Sequence, residues 1–168
     1  MGAQTLLVPY VQTAEEAVKA VEAMRYGPQG IRGMAGMTRA TRYGKVDDYF
    51  ETASDELCLI VQVETLEGLA NLEAIAQTDG VDAVFIGPAD LSASMGLPGQ
   101  MNHPDVVAAI EKAFARLKTL SVPFGIMALD PDVADKYIAL GSAFTAVGVD
   151  LVMLADSVEA LRRRFDNA

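Results

Sequence analysis

The chain has 168 residues, 51% of them hydrophobic, and a formal net charge of −10. This length suits one domain with a sizeable core, and the hydrophobic content excludes a disordered chain. The acidic balance argues against nucleic acid as a partner, because phosphate binding needs a basic surface. We therefore expect a single domain over residues 1–168 with a solvated acidic surface.

Cys58 is the one cysteine, and it lies within an apolar run. A lone cysteine forms no intramolecular disulfide, which fits a reducing cytoplasm, and we expect its side chain in the core. The N-terminus lacks the basic and apolar regions of a signal peptide, and no apolar run is long enough to span a bilayer. We therefore expect a cytoplasmic protein with no membrane partner.

The first part of the chain predicts a strand, a helix and a long loop. Residues 5–11 are an apolar run typical of a buried strand. Thr13 and the acids after it are typical of a helix start, and the helix should end before Gly27. Residues 26–43 are rich in glycine and arginine, which fits an anion-binding or active-site loop or a plain surface connection. A short helix is expected over residues 47–53.

The central stretch, residues 57–92, predicts a strand–helix–strand unit whose two strands are parallel and buried on both faces. The first strand ends at Glu64 and the second at Asp90, at one edge of the sheet. Such carboxylates are costly unless a cation or hydrogen bonds satisfy them. The pair predicts a site for magnesium or manganese, although strand-end acids can also cap helices or pair with arginines.

The last part predicts a loop over residues 90–100 and then alternating helices and strands. His103 should lie on the surface at the start of the first of these helices. Repeated units of this kind form a parallel sheet with outer helices, either doubly wound or part of a (β/α)8 barrel. The absence of a glycine-rich nucleotide-binding motif weakens the doubly wound alternative. Helices are expected near 104–120, 131–141 and 151–165, and strands at 123–128 and 143–150.

Two motifs of the central unit resemble the HpcH/HpaI aldolases, which are metal-dependent pyruvate aldolases. The motifs are Gln62-Val63-Glu64-Thr65 and Gly87-Pro88-Ala89-Asp90-Leu91-Ser92. Segments 4–9, 30–33 and 146–150 agree in order, so the resemblance covers essentially the whole chain. It implies an α/β fold of the (β/α)8 TIM-barrel type, of which this chain holds about the last five βα units.

The resemblance implies that Glu64 and Asp90 hold a divalent metal, Mg²⁺, Mn²⁺ or Co²⁺, at the ends of neighbouring barrel strands. Gln62 matches a polar side chain of the same site, and a buried amide bonded to a neighbouring strand is the alternative. The other implied substrate contacts are the backbone that receives the pyruvate carboxylate and one wall of the pocket, at Gly87, Pro88, Ala89, Asp90 and Met127.

The implied reaction is the reversible retro-aldol cleavage of a 4-hydroxy-2-oxo acid to pyruvate and an aldehyde. The metal would serve as a Lewis acid, so no Schiff-base lysine is needed, and no lysine ends a predicted strand. The first three βα units of the family, with its catalytic base and enolate-binding arginine, have no counterpart here, and His103 matches no family base. We assign no catalytic residue and expect an impaired aldolase, from a truncated gene product, a misassigned start or a fragment.

Two other functions stay open. One is a non-catalytic truncated barrel that acts as an oligomeric interaction protein, because open sheet edges pair readily with another copy. The other is a related oxaloacetate decarboxylase or citramalyl-type lyase with the same metal chemistry. A homo-oligomer, such as a hexamer or a trimer of dimers, is expected in every case. The small-molecule partner of an enzyme would be a 2-oxo acid, either pyruvate or a 4-hydroxy-2-oxo acid.

Overall fold

The computed structural model describes residues 1–166 as five strands alternating with helices. The strands are β1 (Thr5–Val8), β2 (Cys58–Val63), β3 (Ala83–Ile86), β4 (Phe124–Met127) and β5 (Phe144–Ala146). The helices are α1 (Ala14–Met24), α2 (Tyr49–Thr52), α3 (Leu66–Ala70), α4 (Leu72–Ala76), α5 (Pro88–Ser94), α6 (Pro104–Thr119), α7 (Pro131–Ala139) and α8 (Asp150–Asp166). A 3₁₀-helix, Ala53–Glu56, follows α2.

All five strands are parallel, and each pairs with the strand before and after it in the chain. A doubly wound sheet instead reverses its strand order at a switch point. Consecutive order with right-handed crossovers curls the sheet and leaves the helices on its outer face. The chain therefore forms a curled half-barrel, which confirms the prediction of a partial (β/α)8 barrel.

The hydrophobic core lies between the outer face of the sheet and the helices. On α6, apolar side chains at helical spacing face the sheet, and Phe114 packs on Phe124 of β4 with ring centroids 4.4 Å apart. Each large apolar side chain buried in this way contributes about 1.5–3 kcal/mol. The strand residues of this layer are fully or almost fully buried: Val61, Val63, Val84, Ile86, Phe124 and Ile126.

The inner face of the sheet carries a row of aromatic side chains. The strand register aligns Gln62, Phe85, Gly125 and Phe144 across four neighbouring strands. The Phe144 ring lies over Gly125, where a Cβ would overlap it, and stacks on Phe85 at a centroid distance of 6.0 Å. Two stacked rings thus cover this part of the inner face, with the Gln62 amide at the end of their row.

The expectation of a buried strand over residues 5–11 is wrong. The strand is β1, an edge strand that pairs only with β2, and Leu6 and Leu7 are 40% and 41% exposed. Cys58 pairs with the start of this edge strand and is half-buried rather than part of the core. An apolar run is the same in sequence whether or not a neighbour covers it, so the pattern alone did not reveal the edge.

Helix α8 was predicted correctly, but none of its residues is buried. Leu151, Leu154, Val158, Leu161 and Phe165 are alternately three and four residues apart and are 56–72% exposed. This spacing places them on one side of the helix, which we call the α8 stripe. No helix of residues 1–166 is long and apolar enough to cross a membrane.

The predicted helix between β2 and β3 is divided into α3 and α4 at Asn71. The Asn71 side-chain amide donates to the Gln12 carbonyl at 2.8 Å. On the other side, the Arg116 guanidinium of α6 donates to the Leu69 carbonyl at 2.6 Å and to the carboxylate of Glu73. The Arg116 contact thus satisfies the Leu69 carbonyl, which an unbroken helix would satisfy internally.

Replacing Arg116 with methionine should lower the free energy of unfolding by about 1–3 kcal/mol, because the Leu69 carbonyl loses a charged donor. Urea denaturation measures the change. Glu73→Gln keeps that carbonyl bond and removes only a half-exposed ion pair, so it should cost less than Arg116→Met. Equal stability of Arg116→Met and the wild type would contradict this account of the break.

Candidate active site

A buried carboxylate, Glu64, directly follows β2 at the carboxyl edge of the sheet. Its side chain is almost inaccessible, because the whole residue is 3% exposed. The backbone N–H of Tyr10 donates to Oε1 at 2.9 Å, and the side-chain amide of Gln62 donates to Oε2. Gly87, which follows β3, lies against the same carboxylate, and a Cβ there would overlap Oε2. Two donors and a close backbone therefore fix the position of this carboxylate.

The loop after β1 is held against the end of β2 by several hydrogen bonds. The Val11 N–H donates to the Gln62 carbonyl at 3.1 Å. Thr65 caps α3, since its Oγ1 accepts from the Gly68 N–H at 3.0 Å, and the same hydroxyl donates to the Gln12 side chain at 2.9 Å. These bonds bring the Tyr10 N–H to the Glu64 carboxylate.

Asp90 is not at the end of a strand, so that part of the sequence prediction is wrong. Strand β3 ends at Ile86, Gly87 caps α5, and Asp90 lies exposed in the first turn of that helix. An acid in the first turn also complements the helix dipole. The Asp90 carboxyl nevertheless lies close enough to Glu64 to raise the pKa of its carboxyl. The two acids therefore lie at one edge of the sheet, as predicted.

Burial raises the pKa of the Glu64 carboxyl above its usual range. The hydrogen bonds from Gln62 and Tyr10 lower this pKa, and the nearby Asp90 carboxyl raises it again. The groups around the Glu64 carboxylate are thus amides and a second carboxyl, rather than the arginine of the alternative interpretation. Two acids with no cation between them repel each other when both are ionised.

The donor set fits a hard divalent cation that keeps part of its shell for other ligands. Within residues 1–166, no group of three or more His, Cys, Asp or Glu side chains is placed to hold a metal. Glu64 and Asp90 are the two carboxyl groups that lie beside each other here. Mg²⁺ and Mn²⁺ prefer oxygen ligands and commonly bind through one or two carboxylates plus water and substrate oxygens.

The other residues assigned from the resemblance lie around these acids. The Gln62 amide bonds to Glu64, which directly follows the same strand, so the alternative of an amide bonded to a neighbouring strand is wrong. Met127 ends β4 and is 41% exposed at the same edge. The short backbone stretch Gly87, Pro88 and Ala89 forms the start of α5. The structure therefore gathers these residues at the carboxyl edge.

His103 caps α6, where its Nδ1 accepts from the Asp105 N–H at 3.2 Å, as expected for a residue at the start of a helix. The lysines of the chain lie on helices or in the loop before α2, and none ends a strand.

Sequence reasoning missed two features of this site. The Tyr10 N–H is a backbone donor, so no residue type signals it, although Tyr10 has an uncommon left-handed φ of 62°. Helix α5 was taken for a loop, yet Gly87-Pro88 is a recognisable helix start, because proline suits the first helical position.

A family model described as HpcH/HpaI aldolase/citrate lyase matches residues 1–157. The chain belongs to the HpcH/HpaI aldolase/citrate lyase family. The match confirms the resemblance noted in the sequence.

Members of this family match the chain over nearly its whole length. The pyruvate aldolase of Rhizobium etli is 58% identical over 165 residues, which are 98% of this chain and 65% of that protein. The 4-hydroxy-2-oxo-heptane-1,7-dioate aldolase of Shigella flexneri is 49% identical over 169 residues, 100% of this chain and 63% of that protein. The crystal structure of an HpcH/HpaI aldolase/citrate lyase family protein from Burkholderia cenocepacia matches with a TM-score of 0.89 at 40% identity. That match covers 96% of this chain and 65% of the Burkholderia chain. The chain thus spans about 65% of the length of these relatives.

Replacing Glu64 with glutamine should stabilise the folded, metal-free protein more at neutral pH than at acid pH. Because the pKa of the folded carboxyl is raised, the folded wild type binds the proton more tightly than the unfolded chain. Its free energy of unfolding therefore falls as the pH rises from about 4.3 through the folded pKa. The neutral amide of Glu64→Gln avoids this loss.

Urea denaturation of both proteins in metal-free buffer, at about pH 4 and about pH 7.5, measures the difference. The free energy of unfolding of Glu64→Gln should rise relative to that of the wild type between the two pH values. Parallel pH profiles would show that the fold does not oppose ionisation of Glu64.

Proposed function

We propose that the chain forms the metal-binding and pyruvate-binding part of a divalent-metal-dependent pyruvate aldolase. The observation that carries this proposal is the buried Glu64 carboxylate with the Asp90 carboxyl beside it, at the carboxyl edge of adjacent parallel strands. Barrels of this type carry their chemistry at that edge. The names of the relatives, a pyruvate aldolase and a 4-hydroxy-2-oxo-heptane-1,7-dioate aldolase, support the same reaction class.

Each residue of the site has a role in this proposal. Glu64 and Asp90 hold the cation, and when bound it supplies a Lewis acid for the oxygens of a 2-oxo acid. Gln62 and the Tyr10 N–H keep the Glu64 carboxylate oriented. The first N–H groups of α5, beside Ala89, receive the substrate carboxylate, because helix N-termini favour anions.

Apolar side chains shape the rest of the proposed pocket. Met127 forms one wall at the same edge, and the Phe85 and Phe144 rings close the inner face of the sheet below it. Such a dry floor strengthens the electrostatic interactions that stabilise negative charge as the carbon–carbon bond breaks. The 2-oxo acid would thus be held between a charged rim and an apolar floor.

The same residues supply no evident general base, so we propose that this chain alone is a poor catalyst. His103 is engaged as the cap of α6, and the proposal uses Glu64 and Asp90 for the metal. Asp130 and Asp150, at the same edge, accept backbone N–H groups at the starts of α7 and α8. A positioned base or acid contributes about 10²–10⁴-fold to a rate. The loss of that contribution is the expected shortfall relative to a complete aldolase.

The wild type should bind Mn²⁺ at one site. Glu64→Gln should weaken that binding at least about tenfold, because the cation loses one charged ligand. Titration calorimetry, or the Mn²⁺ signal in electron paramagnetic resonance, measures the affinity. Glu67→Gln is the matched control, because Glu67 lies exposed in the first turn of α3. Unchanged Mn²⁺ affinity in a Glu64→Gln/Asp90→Asn protein would overturn the metal site.

Turnover is tested with Mn²⁺, pyruvate and a panel of aldehydes, beside the Rhizobium etli enzyme. A rate about 10²–10⁴-fold below that enzyme, lost in Glu64→Gln, is the expected result. Equal rates for the two proteins would show that the chain lacks nothing essential. Adding oxaloacetate to the panel tests the decarboxylase alternative, which faster release of carbon dioxide than aldol cleavage would favour.

We also propose that the chain forms a homo-oligomer through α8. The α8 stripe supports this, because its spacing of three and four residues is the pattern by which helices pack in pairs. The unpaired edge of β1 gives a second surface suited to association. Residues 156, 159, 160 and 163 lie on the opposite side of α8 and are mostly polar.

Light scattering coupled to size exclusion should give the wild type a mass of at least twice 17.8 kDa. Leu154→Glu/Leu161→Glu places two charges in the α8 stripe and should lower the mass toward that of one chain. Ala160→Glu changes the opposite side of the helix and should leave the mass unchanged. A wild type that is monomeric at every accessible concentration would contradict the proposal.

A further inference from the structure

A cavity of about 600 Å³ lies at the amino edge of the sheet, opposite the Glu64 site. Its floor includes residues 1–4 and Leu57, which directly precede β1 and β2. Its walls come from the glycine-rich loop before α2, from α2 and from the 3₁₀-helix. Its volume lies within the range of small-ligand sites, about 300–1,000 Å³. The loop that the sequence singled out as basic therefore lines a space of its own, away from the acids of the carboxyl edge.

Four basic side chains line this cavity, namely Arg32, Arg39, Arg42 and Lys45. Glu56 is the acidic side chain of its wall, and its Oε2 accepts from the Gln4 side-chain amide at 3.4 Å. None of the ion pairs formed by residues 1–166 involves any of the four cations. This concentration of unpaired positive charge stands out in a chain with a net charge of −10. Like charges gathered in one place repel, and a bound anion would relieve that repulsion.

The glycine-rich loop is held in one conformation by hydrogen bonds around Thr41, which is 2% exposed. The Thr41 hydroxyl donates to the Gly36 carbonyl at 2.7 Å, and it accepts from the Gly44 N–H at 3.1 Å. The Thr41 carbonyl accepts from the Lys45 N–H at 3.0 Å. Arg42 follows with a left-handed φ of 47°, a backbone state that persists only where surrounding contacts impose it. Three of the cations thus extend from a fixed turn.

The fourth cation is fixed by an aromatic side chain. The Arg32 guanidinium lies 4.5 Å from the centroid of the Tyr26 ring, and Tyr26 is buried. One guanidinium nitrogen of Arg32 also donates to the Met24 carbonyl at 3.5 Å. These contacts keep the charge of Arg32 at the cavity wall without neutralising it. A site whose donors are held in advance binds an anion at a lower entropic cost.

We propose that this cavity binds a small phosphorylated anion, such as a diphosphate or a sugar phosphate. Three of its four cations are arginines, whose planar guanidinium groups match two phosphate oxygens at once. An anion with two or three charges balances the four cations and Glu56, whereas a monocarboxylate leaves most of the charge uncompensated. The strongly acidic balance of the whole chain disfavours nucleic acid as the source of that phosphate.

Inorganic diphosphate, titrated into the metal-free protein by calorimetry, tests this proposal independently of the Glu64 site. We expect saturable binding at one site that weakens with salt, and at least about tenfold weaker binding in Arg39→Gln/Arg42→Gln. Lys19→Gln/Lys118→Gln is the control, because it removes the same charge from α1 and α6. Glu64→Gln should bind diphosphate like the wild type.

Three results would overturn the proposal: no saturable binding, equal weakening in the two double variants, or citrate binding as tightly as diphosphate. Modification of the wild type by phenylglyoxal gives a measurement that does not depend on a variant folding. Diphosphate should slow the modification of Arg39 and Arg42, as found by peptide mass analysis, and leave Arg162 unaffected. Equal modification with and without diphosphate would also overturn the proposal.

Discussion

The burial of the Glu64 carboxylate is the constraint on which the carboxyl edge depends. A charge removed from water costs several kcal/mol unless its surroundings offset the cost. The Tyr10 N–H and the Gln62 amide offset part of that cost, and each depends on a particular local structure. The loop after β1 has to reach β2, and a glycine, Gly87, has to follow β3 because a side chain there would overlap the carboxylate. The arrangement that restrains this acid is also the one that presents it beside Asp90.

The extent to which the sequence predicted the molecule differs between elements for physical reasons. The inner strands β2 and β3 were evident because both are continuous apolar runs, which is typical of strands inside a parallel sheet. Burial on both faces was correct for β3, whereas one face of β2 is only half-buried. Helix α5 was missed because the apolar run before Gly87 was extended to Asp90, past a proline that begins a helix. The exposure of β1 and α8 depends on which neighbouring elements cover them, and an apolar sequence pattern does not show whether such a neighbour is present. The hydrogen bond from Tyr10 comes from the backbone, which every residue type shares.

The two edges of the sheet carry opposite charge. Glu64 and Asp90 lie at the carboxyl edge, and the cavity with Arg39 and Arg42 lies at the amino edge. In barrels of this type the carboxyl edge carries the chemistry, and residues at the amino edge usually serve stability. Four cations without ion-pair partners destabilise the fold, because they repel one another. Their presence is the reason to look for a ligand at an edge that is otherwise structural.

The consecutive order of the strands has a consequence for how the molecule forms and loosens. Each strand pairs with its neighbours along the chain, so an ordered βα unit provides the edge on which the next strand docks. The connection from β4 to β5 is among the shortest, and the one from β1 to β2, which contains the basic loop, is the longest. Because closing a longer loop costs more entropy, we expect β1 to pair with β2 last during folding. Its backbone amides should then be among the first to exchange their hydrogens with solvent, and the Tyr10 contact to Glu64 would open with them.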